Sequence, residues 1–124
     1  MTRPLTLMLF GAAMFASPAT AADPAEIGYP KGSLGFNALV EADYSTAESQ
    51  LRANKRVAKN DPARLINLGV VLAKTGRAEQ AARLFERAMA ADEVELILAS
   101  GEQVSSRDAA RRAMRALNAM HLDR

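Results

Sequence analysis

The chain has no cysteine and no tryptophan, a single histidine, and aromatic residues at only 5% of its 124 positions. Without cysteine there are no disulfides and no thiolate metal ligands, so packing alone must hold whatever core forms. His121, the one histidine, lies near the carboxyl end with no second imidazole to share a metal ion, and a cation close to a helix C-terminus is reason enough for it. Also absent are the G-x-x-x-x-G-K-[ST] phosphate loop, the G-x-S-x-G elbow and the H-E-x-x-H helix. No catalytic residue, metal site, cofactor or small-molecule substrate is therefore expected, and the chain is not read as an enzyme. Charge of either sign is nearly balanced, with 16 Lys plus Arg against 14 Asp plus Glu. So small an excess, without aromatics interleaved among the cations, argues against nucleic acid as the partner.

A run long enough to cross a membrane is missing too. The apolar stretch from Leu5 to Ala16 is roughly a dozen residues, where a spanning helix needs about 20. Arg3 precedes it and Ala19-Thr20-Ala21 follows, a small-x-small site of the kind a signal peptidase cuts after. Residues 1–21 are accordingly expected to be a cleaved signal peptide, which makes the protein exported, periplasmic or secreted. With no cysteine at that site, a lipid anchor is excluded.

Residues 22–35, ADPAEIGYPKGSLG, hold two Pro and three Gly without a sustained period and read as an extended leader, with Ile27 and Tyr29 available to dock on helices. FNALVEA (36–42) allows a short helix with Phe36, Leu39 and Val40 on one face. Ser45-Thr46-Ala47-Glu48 fits a capping box, opening a second helix to about Lys59. The apolar column of that helix, Ala47, Leu51, Asn54 and Ala58, is thin. Its opposite side carries Arg52, Lys55, Arg56 and Lys59 as a basic stripe, either a solvated face or a site for an acidic partner or anionic membrane surface. Asp61 and Pro62 then have the types wanted at an N-cap and first helical position.

Leu65, Leu68, Gly69 and Leu72 share one helix face, Gly76 suits a left-handed closing position, and Ala81, Leu84, Phe85 and Ala88 form the face of a second helix. Two helices joined by so short a loop must pack antiparallel, and Gly69 and Ala81 are small enough to let the backbones approach. The set Leu65, Leu68-Gly69, Leu72, Ala81, Phe85 and Ala88 resembles the tetratricopeptide repeat. It departs from that pattern in having Leu where aromatics are expected at 65 and 72, and Glu93 where Pro is favoured. The resemblance covers about one 34-residue unit well, with Asp43-Tyr44, Ala47 and Leu51 like the second half of a degenerate preceding unit. It implies a peptide- or protein-binding scaffold, with Ala63, Ile66, Val70, Ala73 and Lys74 lining a mostly apolar groove that is filled by a partner segment or by the chain's own leader around Tyr29.

One repeat cannot bury its own apolar face, since about three units are needed for stability, so other segments must cover its ends. After Asp92 the period changes. VELIL (94–98), Ser100-Gly101 and Gln103 to Ser105 predict a β-hairpin, with the first helix of a third unit as the competing reading. Ser105-Ser106-Arg107-Asp108 is a second capping box, opening a helix to about Met120 with Ala110, Ala113, Met114 and Leu117 on its apolar face. Arg107, Arg111, Arg112 and Arg115 give it a second basic patch, which either pairs with Glu79, Glu86 or Glu95 or binds anions.

The expected fold is therefore mainly α: a tetratricopeptide-like helical region over 36–92, and a hairpin plus C-terminal capping helix over 93–124. The expected function is non-catalytic binding of a peptide or protein segment through an apolar groove. The alternative is peripheral association of the basic faces with anionic envelope lipid or polysaccharide.

Overall fold

The computed structural model describes residues 28–29 and 32–122. The expected signal peptide and Ile27 lie outside the described residues. Within them the chain forms α1 (Phe36–Val40), α2 (Tyr44–Ala53), α3 (Pro62–Lys74), α4 (Ala78–Ala90), β1 (Glu95–Ile97), β2 (Gln103–Ser105) and α5 (Ser106–Leu122). The fold is mainly helical, with a small two-stranded antiparallel sheet.

α3 is the central element because its sequence is apolar nearly all round, and every residue from Pro62 to Leu72 is buried. It packs against α2, α4 and α5. Asp61 starts it: Oδ1 accepts from the backbone N–H groups of Ala63 (3.0 Å) and Arg64 (3.2 Å), with Pro62 at a position where its missing donor costs nothing. Gly76 stops it at φ 80°, where the Arg77 N–H reaches back to the Leu72 carbonyl (2.8 Å) in a Schellman closure. α4 returns antiparallel and buries only Ala81, Phe85 and Ala88, a narrower stripe than its spacing implied, since Leu84, expected on the same face, is half-buried at its edge. The Phe85 ring lies directly on Gly69, where an added Cβ would have Cδ1 of the ring at 2.8 Å. Leu65, Leu68, Leu72, Ala81, Phe85 and Ala88 all belong to the core, so each of the seven repeat-type positions is used for packing.

Three N-terminal expectations are corrected. In α1 the buried residues are Ala38 and Leu39, Phe36 is half-buried, and Val40 is 59% exposed. The helix is too short for a three-residue stripe: it closes in the same Schellman pattern as α3, with Asp43 N–H to Ala38 O (2.8 Å) and Ala42 at φ 60° where glycine is usual. In α2 the cap is Asp43, whose Oδ1 accepts from the Thr46 N–H (3.2 Å), rather than Ser45 or Thr46 with Glu48. That helix also stops at Ala53, six residues short of Lys59. Asn54 turns the chain by accepting from the backbone N–H groups of Arg56 (2.6 Å) and Val57 (3.3 Å), and Val57 is buried in place of Ala58.

The C-terminal half follows the hairpin reading. Leu96 pairs with Val104 in register and both are buried, while Gly101 at φ 88° closes the turn. Ser105 Oγ caps α5 by accepting from the Asp108 N–H (3.1 Å), and Ser106 Oγ accepts from Val94 N–H (3.0 Å), tying hairpin to helix. Ala110, Ala113 and Leu117 are buried on the face of α5, which packs against α4. At the other end the leader docks. Leu34 is fully buried, Asn54 Nδ2 donates to the Ser33 carbonyl (3.0 Å) and Asn67 Nδ2 to the Leu34 carbonyl (3.2 Å). The Tyr29 hydroxyl donates to Asp61 Oδ2 (3.1 Å), and burial together with that carboxylate pushes the phenol well above its ordinary pKa.

Candidate functional site

The early stop of α2 leaves a gap beside α3. Along it Leu65, Leu68 and Leu72 form a floor, α4 supplies one wall with Gln80, Arg83, Leu84 and Arg87, and Arg52 and Lys59 supply the other, around a cleft of about 500 Å³. Arg64 completes the lining, which holds no carboxylate among the described residues. A neighbouring hollow shares Arg52, Lys59 and Arg64 and extends the same trough past Lys55. The floor is recessed: Leu65, Leu68 and Leu72 are 3%, 9% and 2% exposed.

Each cation is placed by a specific contact or left without one. Arg64 is buried and holds the end of α2, its Nη1 donating to the carbonyls of Asn54 (3.0 Å) and Val57 (2.8 Å) and its Nη2 to that of Arg52 (3.2 Å). The Arg52 and Asn54 carbonyls are among those a helix end leaves unpaired, that of Val57 belongs to the irregular segment after it, and a cation there also meets the negative end of the helix dipole. Arg87 reaches across the cleft, Nη2 donating to Asn60 Oδ1 (2.7 Å). Arg52 is paired with Glu48 (2.8 Å), which also accepts from Arg77 Nη1 (3.0 Å) and Nη2. Hydrogen bonds from Arg77 and then Arg52 hold the Glu48 carboxyl down to about 2. Lys55, Lys59 and Arg83 have no ion-pair or hydrogen-bonding partner for their side chains among the described residues.

The groove expected at Ala63, Ile66, Val70, Ala73 and Lys74 is not open. Ala63, Ile66 and Val70 are 0%, 2% and 8% exposed, Ala73 is half-buried and only Lys74 is exposed. α3 is enclosed by its neighbours, so this face, roughly opposite Leu65, Leu68 and Leu72 at 100° per residue, serves the core. The first basic stripe is also altered. Arg52 belongs to α2, but Lys55, Arg56 and Lys59 lie in the irregular segment after it, exposed without a helical repeat. On α5, Arg107 donates to the Met89 carbonyl (3.1 Å) and lies 3.8 Å from Glu93, Arg111 pairs with Asp108 (2.8 Å), and Arg112 grips Glu102 with both Nη atoms (2.9 and 2.8 Å). The partners are thus Glu93, Asp108 and Glu102 instead of Glu79, Glu86 or Glu95, and Arg115 is exposed with no ion-pair partner among the described residues.

The structure brings Arg52 and Lys59 together with Arg83 and Arg87, two residues the sequence reading did not single out. Their signal was available, since 83 and 87 are one turn apart and flank Leu84 on the edge of the α4 stripe. Among the described residues no group of three or more His, Cys, Asp or Glu is placed to hold a metal ion, and no helix is long and apolar enough to cross a membrane. Set against protein-family models, the curated proteins and the solved structures, the chain has no match.

Proposed function

We propose that the protein is a non-catalytic, exported interaction module of the tetratricopeptide-like kind, binding a peptide or protein segment in the cleft along α3. The observation that supports this is the cleft itself. Its volume of about 500 Å³ falls in the range of roughly 300–1,000 Å³ over which clefts hold ligands, and an apolar floor with a few polar groups at the rim is the usual make-up of such sites. The antiparallel pairing of α3 with α4 through Gly69 and Phe85 supports the family reading.

A photo-cross-linking residue in place of Gln80, which lines the cleft and is exposed, tests the proposal in the native cell envelope. The expected result is a discrete protein adduct from position 80 and none from the same residue in place of Arg115 on α5. Adducts of equal yield from both positions, or none from position 80, would sink the proposal. The second reading, attachment to anionic lipid or polysaccharide, draws on the unpartnered Lys55, Lys59 and Arg83. It predicts cosedimentation with acidic vesicles that disappears as salt is raised.

A further inference from the structure

We infer that the segment bound in this cleft is extended and alternates acidic with apolar residues; the inference rests on the cleft being the binding surface. The first support is charge. Among the described residues the cleft is lined by cations from both walls and by no carboxylate, Glu48 being held against Arg52 outside the lining, so negative groups on a ligand are attracted at the rim. The second is geometry. An extended chain sends alternate side chains to opposite faces, so every second residue can reach the leucine floor while those between stay at rim height. Carboxylates two residues apart on such a chain are separated by about 6.7 Å. Arg83 and Arg87, four residues apart, leave α4 about 6 Å from one another along its axis, a spacing of the same size, with the Arg87 guanidinium carried across the cleft to Asn60.

Other anionic ligands fit less well. A single terminal carboxylate uses one point of contact, whereas Arg83 stands on one wall and Lys59 on the other. An anionic bilayer presents a broad surface, and Leu65, Leu68 and Leu72, at most 9% exposed, lie below its reach. Side chains on a narrow backbone reach both the floor and the rim.

The test is fluorescence anisotropy with the full-length protein and labelled pentapeptides blocked at both ends: Glu-Leu-Glu-Leu-Glu, Gln-Leu-Gln-Leu-Gln and Glu-Ser-Glu-Ser-Glu. The Glu-Leu probe is expected to bind at least about tenfold more tightly than either of the others, the scale of losing charge-assisted contacts or apolar burial. Arg83→Glu should weaken it by a similar factor, and Arg115→Glu, away from the cleft, should leave it unchanged. Equal binding of the Gln-Leu probe, equal binding of the Glu-Ser probe, indifference to Arg83→Glu, or displacement of the probe by acidic vesicles would each overturn the inference. A rise in probe affinity of about tenfold on changing Asp23 and Glu26 to Gln would identify the chain's own leader as the occupant and overturn it as well. If position 80 still yields its adduct while the probes show no preference, only this inference fails; if the adduct is absent, the reading beneath it fails too.

Discussion

Gly69→Ala isolates the contact on which the α3 and α4 pair is built. An alanine inside a helix is ordinarily favoured over glycine by about 1 kcal/mol, so on propensity alone the substitution stabilises. Here the new Cβ would overlap Cε1 of Phe85, with Cδ1 at 2.8 Å and Cζ at 3.0 Å. The ring is 1% exposed and has no space to retreat into, so the helices must separate or the ring must leave its rotamer. Overpacking of this kind costs about 1–3 kcal/mol, with severe overlap at the upper end, which leaves a net loss of about 1–2 kcal/mol after the propensity gain. Urea unfolding followed by circular dichroism measures it, and in a thermal melt the midpoint temperature should fall by about 4–16 °C for a domain of this size. Phe85→Leu destabilises alone by opening space, yet combined with Gly69→Ala it should cost less than the two losses added together, because each change accommodates the other. A Gly69→Ala protein as stable as the parent, or strictly additive losses, would refute the close approach as the determinant of this pair.

Arg64→Met should destabilise by about 3 kcal/mol in the same unfolding assay, because the carbonyls of Arg52, Asn54 and Val57 lose their donor. Arg64→Lys should recover only part of that loss, since one ammonium cannot reproduce the guanidinium fork. Ala42→Gly should stabilise by about 0.5–1 kcal/mol by relieving a φ of 60° in the closing turn of α1, seen as a higher urea midpoint. Glu48 is held at about 2, below its ordinary 4.5, so it stabilises the fold above the higher value, and that contribution is lost as pH falls through the window between them. Acid titration of Glu48→Gln should accordingly show a shallower decline over that window than the parent.

The helical pair α3 and α4 was legible because its signals are local: Asp61-Pro62 to start, Gly76 to turn, and leucine, alanine and phenylalanine at helical spacing between. The hairpin was legible for the same reason, from Val94 and Ile97 on one side of Ser100-Gly101. The end of α2 was not. Nothing from Asn54 to Lys59 is a strong helix breaker, and the turn that Asn54 makes with the Arg56 and Val57 N–H groups is fixed by contacts distant in sequence: Arg64 takes the terminal carbonyls of the helix, and the Ser33 carbonyl engages Asn54. The one local hint was an asparagine in an apolar column. The misplaced groove has a related cause, since Ile66 and Val70 look like an open face only if the neighbouring elements are left out. The cleft that does exist is made by the early stop of α2, and so could not be read before that stop was known.

Arg64 has a consequence beyond holding a helix end. Among the described residues no carboxylate pairs with its charge, which is shared among carbonyl dipoles at the buried edge of the cleft lining. A buried charge is screened far less than an exposed one. The rim lysines and arginines set a potential that rises and falls with ionic strength. Arg64, held beneath the surface at 8% exposure, adds a background to it that raised salt weakens far less.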